Sequence, residues 1–143
     1  MATTAASNRL KFLLATKKVD FANDTCKIIL MANDYAWDKD AHHAYSDVSN
    51  KELANGYGYV TGGANLANAN ANENDADDRT DITWSNANWT ANGGNIGPTP
   101  GAIIYDANAT PANSIVGYID FGGNQTQANG GVLTIANIAV RVS

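Results

Sequence analysis

The chain has one cysteine, Cys26, in 143 residues, so no disulfide can form within it. That usage fits a reducing compartment, or a particle assembled in one. Charge is scarce as well. Asp, Glu, Lys and Arg make up 16% of the residues, against about a quarter in an ordinary globular protein. The net charge of −5 argues against a general nucleic-acid binder. No apolar run is long enough for a membrane span, and the opening MATTAASNRLKFLLATKK lacks the apolar stretch of a signal peptide. The sequons Asn88-Trp89-Thr90 and Asn108-Ala109-Thr110 are then accidents of an Asn-rich chain. The expectation is a protein with neither nucleic acid nor membrane as partner.

Groups for chemistry are equally sparse. His42 and His43 are the two histidines. Adjacent residues point to opposite faces of a strand or diverge by about 100° on a helix, so they chelate one metal poorly. Asp38 and Asp40 lie near, but no further His or Cys completes a zinc site. The acidic stretch Glu73, Asp75, Asp77, Asp78 and Asp81 lacks the glycine and closing Glu of an EF-hand loop and reads as a solvated loop, with a calcium loop of another kind left open. Asp120-Phe121-Gly122 matches the magnesium-holding triplet of protein kinases. Its companions, a glycine-rich loop, a strand lysine and a His-Arg-Asp loop, are missing. No carboxylate pair for glycoside cleavage can be assigned, Asp120 being the one acid in an apolar run. The expectation is therefore no catalytic residue, no metal, no cofactor and no enzymatic activity.

What the sequence does contain is β pattern and turn chemistry. Ser7 is placed to cap a short helix over 8–16, with Leu10, Leu13 and Leu14 at helical spacing. Cys26 to Met31 reads as a buried strand with Cys26, Ile28 and Leu30 on one face, which makes Cys26 a core residue. Ser49-Asn50-Lys51-Glu52 reads as a capping box opening a short helix that stops at Gly56. In Tyr57 to Gly63, glycines among tyrosines suggest a place where another backbone comes close. Residues 64–78 read as a surface loop or edge segment, and Ile82 to Thr90 as strand with a bulge near Asn86. Gly97-Pro98-Thr99-Pro100-Gly101 reads as a stiff linking loop. Residues 102–105 and 115–121 read as strands. Gly122 to Gly131 then forms a loop leading into one or two further strands over 132–142, and Phe121 belongs to the core. Short strands at close spacing indicate a mainly β fold, a β-sandwich or jelly-roll-like domain with short N-terminal and inserted helices. Residues 1–18 form an N-terminal arm and short helix, with the first six residues free, and 19–143 a single β-rich domain. The arm carries Arg9, Lys11, Lys17 and Lys18, a basic cluster suited to docking on an acidic partner surface. Trp37, Trp84 and Trp89 among many Tyr and Asn leave a glycan-binding module open as an alternative.

Several stretches in their order carry a resemblance: Asp24-Thr25-Cys26-Lys27-Ile28-Ile29-Leu30, Glu52-Leu53-Ala54 with Gly56-Tyr57-Gly58-Tyr59 and Gly62-Gly63, Ile82-Thr83-Trp84, Pro100-Gly101-Ala102-Ile103-Ile104-Tyr105, and Ile119-Asp120-Phe121-Gly122-Gly123. Together, over most of residues 8–142, they resemble a family of small structural proteins of tailed bacteriophage virions. The sequence departs from that family in its Asn content at 65–74. The resemblance implies a virion component without catalysis, of a kind in which some members decorate or cement the head. It implies the outer head surface as location, assembly in the host cytoplasm, the major capsid protein as partner, and a homotrimer at local threefold axes. A tail, fibre or connector component is the alternative within the same particle.

Overall fold

The structure, a computed structural model, describes residues 3–143. In chain order the elements are β1 (Thr3–Ala6), α1 (Asn8–Ala15), β2 (Cys26–Leu30), α2 (Tyr45–Val48), a 3-10 turn (Ser49–Lys51), β3 (Ala64–Asn65), β4 (Asn70–Asn74), β5 (Arg79–Trp84), β6 (Ala87–Thr90), β7 (Ile96–Asp106), β8 (Ser114–Gln127), β9 (Val132–Ile135) and β10 (Ile138–Val142). The fold is mainly β, as the sequence implies. One sheet has the order β1-β8-β7-β2-β3, a second β10-β5-β4, and a third pairs β6 with β9. All ladders are antiparallel.

The main core lies between the five-stranded sheet and the two smaller ones. Cys26, Ile28 and Leu30 share one face, as expected, and meet Ile104 and Val116 from the same sheet and Ile82, Trp84, Trp89, Ile138 and Val140 from the others. The reverse face of the sheet is also covered. There Ile29, Ile103, Ile115 and Tyr118 pack under Met31, Tyr35 and Val48 of the segment that follows β2. Burial of both faces explains why β2, β7 and β8 are apolar in continuous runs, where an antiparallel sheet open to water on one side would alternate.

The N-terminal residues are part of this fold. Residues 3–6, expected to be free, pair with β8 in the register Thr3↔Asp120 to Ala6↔Gly117. Residues 1–2 lie outside the described residues. In α1, Leu10 and Leu13 are fully buried, so β1 and α1 share the core of the β domain across the expected boundary at residue 18.

Three further expectations are corrected. The Gly97 to Gly101 stretch is the first half of β7. Prolines survive there because that half pairs with β8 alone, leaving its other edge free of ladder bonds. The Gly-rich loop after Phe121 is shorter than expected, because β8 runs on to Gln127 and the turn falls at 128–131. β9 then pairs with β6 rather than folding back on β8, and Phe121 is half-buried at the core margin. Ser49 to Glu52 is not a capping box. Ser49 stands at a helix end, and the Glu52 carboxylate instead accepts from the hydroxyls of Tyr45 and Tyr59 and from the Gly62 N–H at 2.8 Å.

The expected close approach of backbone to the glycines is present. A Cβ on Gly63 would stand 2.0 Å from the Ile28 carbonyl oxygen, and one on Gly58 would stand 1.9 Å from that of Thr90.

Candidate functional site: the outer face of α1

Ser7 sets the position of α1. Its hydroxyl accepts from the Leu10 N–H at 2.9 Å, the N-cap expected from sequence, and donates to the Ile115 carbonyl of β8 at 2.6 Å. Its own N–H bonds the Val116 carbonyl at 3.0 Å. The helix start is thus fixed to the middle of the sheet, and Leu10 and Leu13 fill the core beneath it.

The opposite face looks outward. Phe12 is 56% exposed and Leu14 40%. Leu14 was expected to join the buried stripe, but it lies about 100° past Leu13 and falls off the stripe's edge. Arg9 is half-buried beside this face, and Lys11, Lys17 and Lys18 are exposed. Among the described residues the ion pairs use Lys39, Lys51, Arg79 and Arg141. None of the four cations predicted for docking has a carboxylate partner. Arg9 and Lys11 flank Phe12 along α1, while Lys17 and Lys18 lie past its C-terminal end and line a groove with Asp20, Asp24 and Asn108. Sequence reasoning named the cations and did not name Phe12. The signal for it was present, since Phe12 lies off the Leu10–Leu13 stripe.

The other candidates do not converge on chemistry. The His42 Nδ1 accepts from the Asp38 N–H at 3.2 Å and so takes the Tyr35 hydroxyl at 2.7 Å as a donor, while the His43 Nε2 meets the Asp40 carbonyl at 2.7 Å. The two rings are committed to separate loop contacts. Among the described residues no group of three His, Cys, Asp or Glu side chains is placed to hold a metal. Asp120 is exposed, and its Oδ1 accepts from the Gly122 N–H at 2.9 Å, a turn in which Gly122 takes φ +79°. Of the three tryptophans, Trp84 and Trp89 are each 6% exposed, and Trp37 stacks on Tyr118 with centroids 5.4 Å apart. The ring faces that a sugar would need are thus largely taken up by the protein. The open groove between Phe121 and Leu133 is lined by Gln125, Thr134, Ile135 and Ala136, with no ionisable group.

Comparison with family models, curated proteins and solved structures finds no match.

Two buried ionisable groups stand apart from the helix. Burial, with Asp106 and Asp24 nearby, raises the pKa of the Cys26 thiol well above its ordinary value, so Cys26 is a core residue without nucleophilic character at neutral pH. Asp106 is itself fully buried, and burial together with the Asp24 carboxyl pushes its pKa up to about 7. Neither Asp106 nor its pairing with Asp24 was anticipated from sequence. Asp106 stands at a strand end in the chain, and only the ladder opposite Cys26 brings the two acids together.

Proposed function

We propose that the protein is a non-enzymatic structural component of a tailed-phage virion, a decoration or cement protein that binds the outer surface of the major capsid shell through the outer face of α1. The observation that supports this reading is the exposed Phe12 on a helix segment whose cations Arg9 and Lys11, with Lys17 and Lys18 just beyond it, make no ion pair among the described residues. The sequence resemblance points to the particle. The helix face supplies the means of attachment.

The energetics suit a shell. Burying an aromatic or Leu side chain contributes roughly 1.5–3 kcal/mol, and exposed ion pairs add about 0–1 kcal/mol each. One such face gives weak attachment. Three copies joined around a threefold axis engage three faces at once, so the second and third contacts form at high effective concentration and the whole resists detachment. A rigid helix avoids the cost of ordering a loop on docking. The partner surface implied is an acidic patch with an apolar centre, repeated over the shell.

The test uses shells stripped of the protein. Purified chain is mixed with them and sedimented, with Phe12→Asp and Lys11→Glu alongside the unaltered protein. The unaltered chain co-sediments at full occupancy and both variants lose most binding while keeping the parent melting temperature. Full decoration by both variants sinks the docking face. Gold label on the tail instead of the head sinks the head location in favour of the tail, fibre or connector reading.

A further inference from the structure

Asp106 closes β7 and is fully buried. Its Oδ1 accepts from the Asn108 N–H at 2.9 Å, and its Oδ2 has no hydrogen-bond donor among the described residues. The group facing it is another acid. Asp24 lies two residues ahead of Cys26, which sits opposite Asp106 in the ladder, and the Ala107 N–H bonds the Thr25 carbonyl at 2.9 Å. This places Asp24 and Asp106 on facing sides of one seam, and Asp24 is among the groups that raise the Asp106 pKa.

A buried carboxylate oxygen with no donor is costly, and a second carboxylate beside it makes the cost larger. One proton between the two oxygens removes both penalties. The remaining groups offer no other remedy. Asp20, on the Asp24 loop, donates its backbone N–H to the Asp24 Oδ2 at 2.9 Å, which leaves the other Asp24 oxygen for Asp106. Cys26 on β2 is a buried neutral thiol. The β8 residue opposite Asp106 is Ser114, which is uncharged. Lys17 and Lys18 line the groove outside Asp24 and make no ion pair with either acid within 4.0 Å.

We propose that the buried Asp106 carboxyl keeps its proton in the fold and donates it in a hydrogen bond to Asp24, and that this bond fastens loop 18–25 to loop 107–113, so that the seam between the two loops loosens as pH rises. The seam is otherwise held by two backbone bonds, Thr110 N–H to the Lys18 carbonyl at 3.0 Å and Ala107 N–H to the Thr25 carbonyl at 2.9 Å, and by the Thr25 N–H on the Asn108 side-chain Oδ1 at 2.7 Å. The inference stands whether or not the α1 face docks on a shell.

The sign follows from the direction of the shift. A carboxyl whose pKa is raised on folding favours the protonated form in the fold. Its full contribution is present below the ordinary Asp value of 3.8 and is lost as pH rises toward the folded value near 7. Asp20, Asp34, Asp38 and Asp47 act in the opposite sense. They are held low by hydrogen bonds to the Asn23 side chain, the Lys51 side chain, the Asp40 N–H and the Ala44 N–H respectively, and their effect appears only in stronger acid. His42 and His43 are common to the unaltered chain and its variants, so the difference between them over pH 5 to pH 8 isolates the pair.

The experiment is a set of melting curves from pH 5 to pH 8, in chelator, on the full chain and on Asp24→Asn and Asp106→Asn. In either variant the amide N–H supplies the missing donor without a proton. Relative to both variants, the unaltered protein loses about 5 °C between pH 5 and pH 8. Backbone exchange at Thr25, Ala107 and Thr110, corrected for the intrinsic rate, speeds up at pH 8 in the unaltered chain and not in Asp24→Asn. Parallel pH profiles for all three proteins overturn the proposal. So does a rise in melting temperature at pH 8 on adding millimolar calcium that Asp24→Asn abolishes, because a metal ion then takes the place assigned to the proton.

Discussion

Lys17 is the residue where stability and the proposed attachment pull apart. It takes φ +59° at the end of α1. The Lys18 N–H bonds the Leu13 carbonyl at 2.9 Å and the Lys17 N–H bonds the Leu14 carbonyl at 3.3 Å. This paired closure is the Schellman motif, whose left-handed position ordinarily belongs to glycine. A lysine there carries about 1 kcal/mol of backbone strain. Lys17→Gly therefore stabilises the fold by about 1 kcal/mol in a urea melt, while removing one of the four cations and weakening co-sedimentation with shells. A variant that is both less stable and equally well bound contradicts both halves of this account. Single residues were legible where local chemistry decided them. Ser7 reads as a cap from its neighbours alone. Asp106 and Glu52 were not legible, because their partners come from elements far away in sequence or from a loop with no regular period.

At the scale of the element, β4 is the exposed risk. It pairs with β5 on one side and forms the outer edge of its sheet. Four of its five residues are exposed and uncharged polar residues dominate it, so its unpaired backbone groups offer a template to another strand. What guards it is charge. Glu73 lies within it, and Asp75, Asp77 and Asp78 crowd the turn that follows, so two copies of this edge repel. Replacing Glu73, Asp75, Asp77 and Asp78 by their amides lets the edge pair, with concentration-dependent association seen by light scattering and no change in monomer melting. Unchanged solubility in that variant means that the acidic turn serves something other than edge protection. The elements themselves were legible where β-branched runs met turn residues, as in β2 and in the first half of β8. They were illegible where a strand pairs on one side only. There Pro98 and Pro100 are tolerated in β7, and Gly122 and Gly123 in β8, because no second ladder demands their N–H groups or their extended shape.

At the scale of the molecule, the proposed threefold assembly calls for unlike surfaces that meet around a ring. The basic face of α1 and the acidic β4–β5 turn are two such surfaces on each copy, although the shell competes for the first. Sedimentation of the free protein at increasing concentration gives three chains per particle if the assembly forms off the shell. A single chain at every concentration restricts the trimer to the shell or removes it. The mainly β class was readable from the whole sequence, whereas the layering was not. The covering of the reverse face by residues 31–51 depends on Tyr35, Val48 and Trp37 finding the sheet, and nothing in their spacing announces it.

The bond between Ser7 and Ile115 spans 108 positions of sequence. A ribosome adding about 5–20 residues per second needs several seconds to supply the second partner after the first has been made. Throughout that interval β1 has no strand to join, and Leu10 and Leu13 have no core to enter. This segment, made before the strands it joins, is thus among the last parts of the fold to be fixed. On the proposed reading this orders the events of assembly, since an unfinished chain does not yet hold the docking helix in place and cannot compete with finished copies for a seat on the shell.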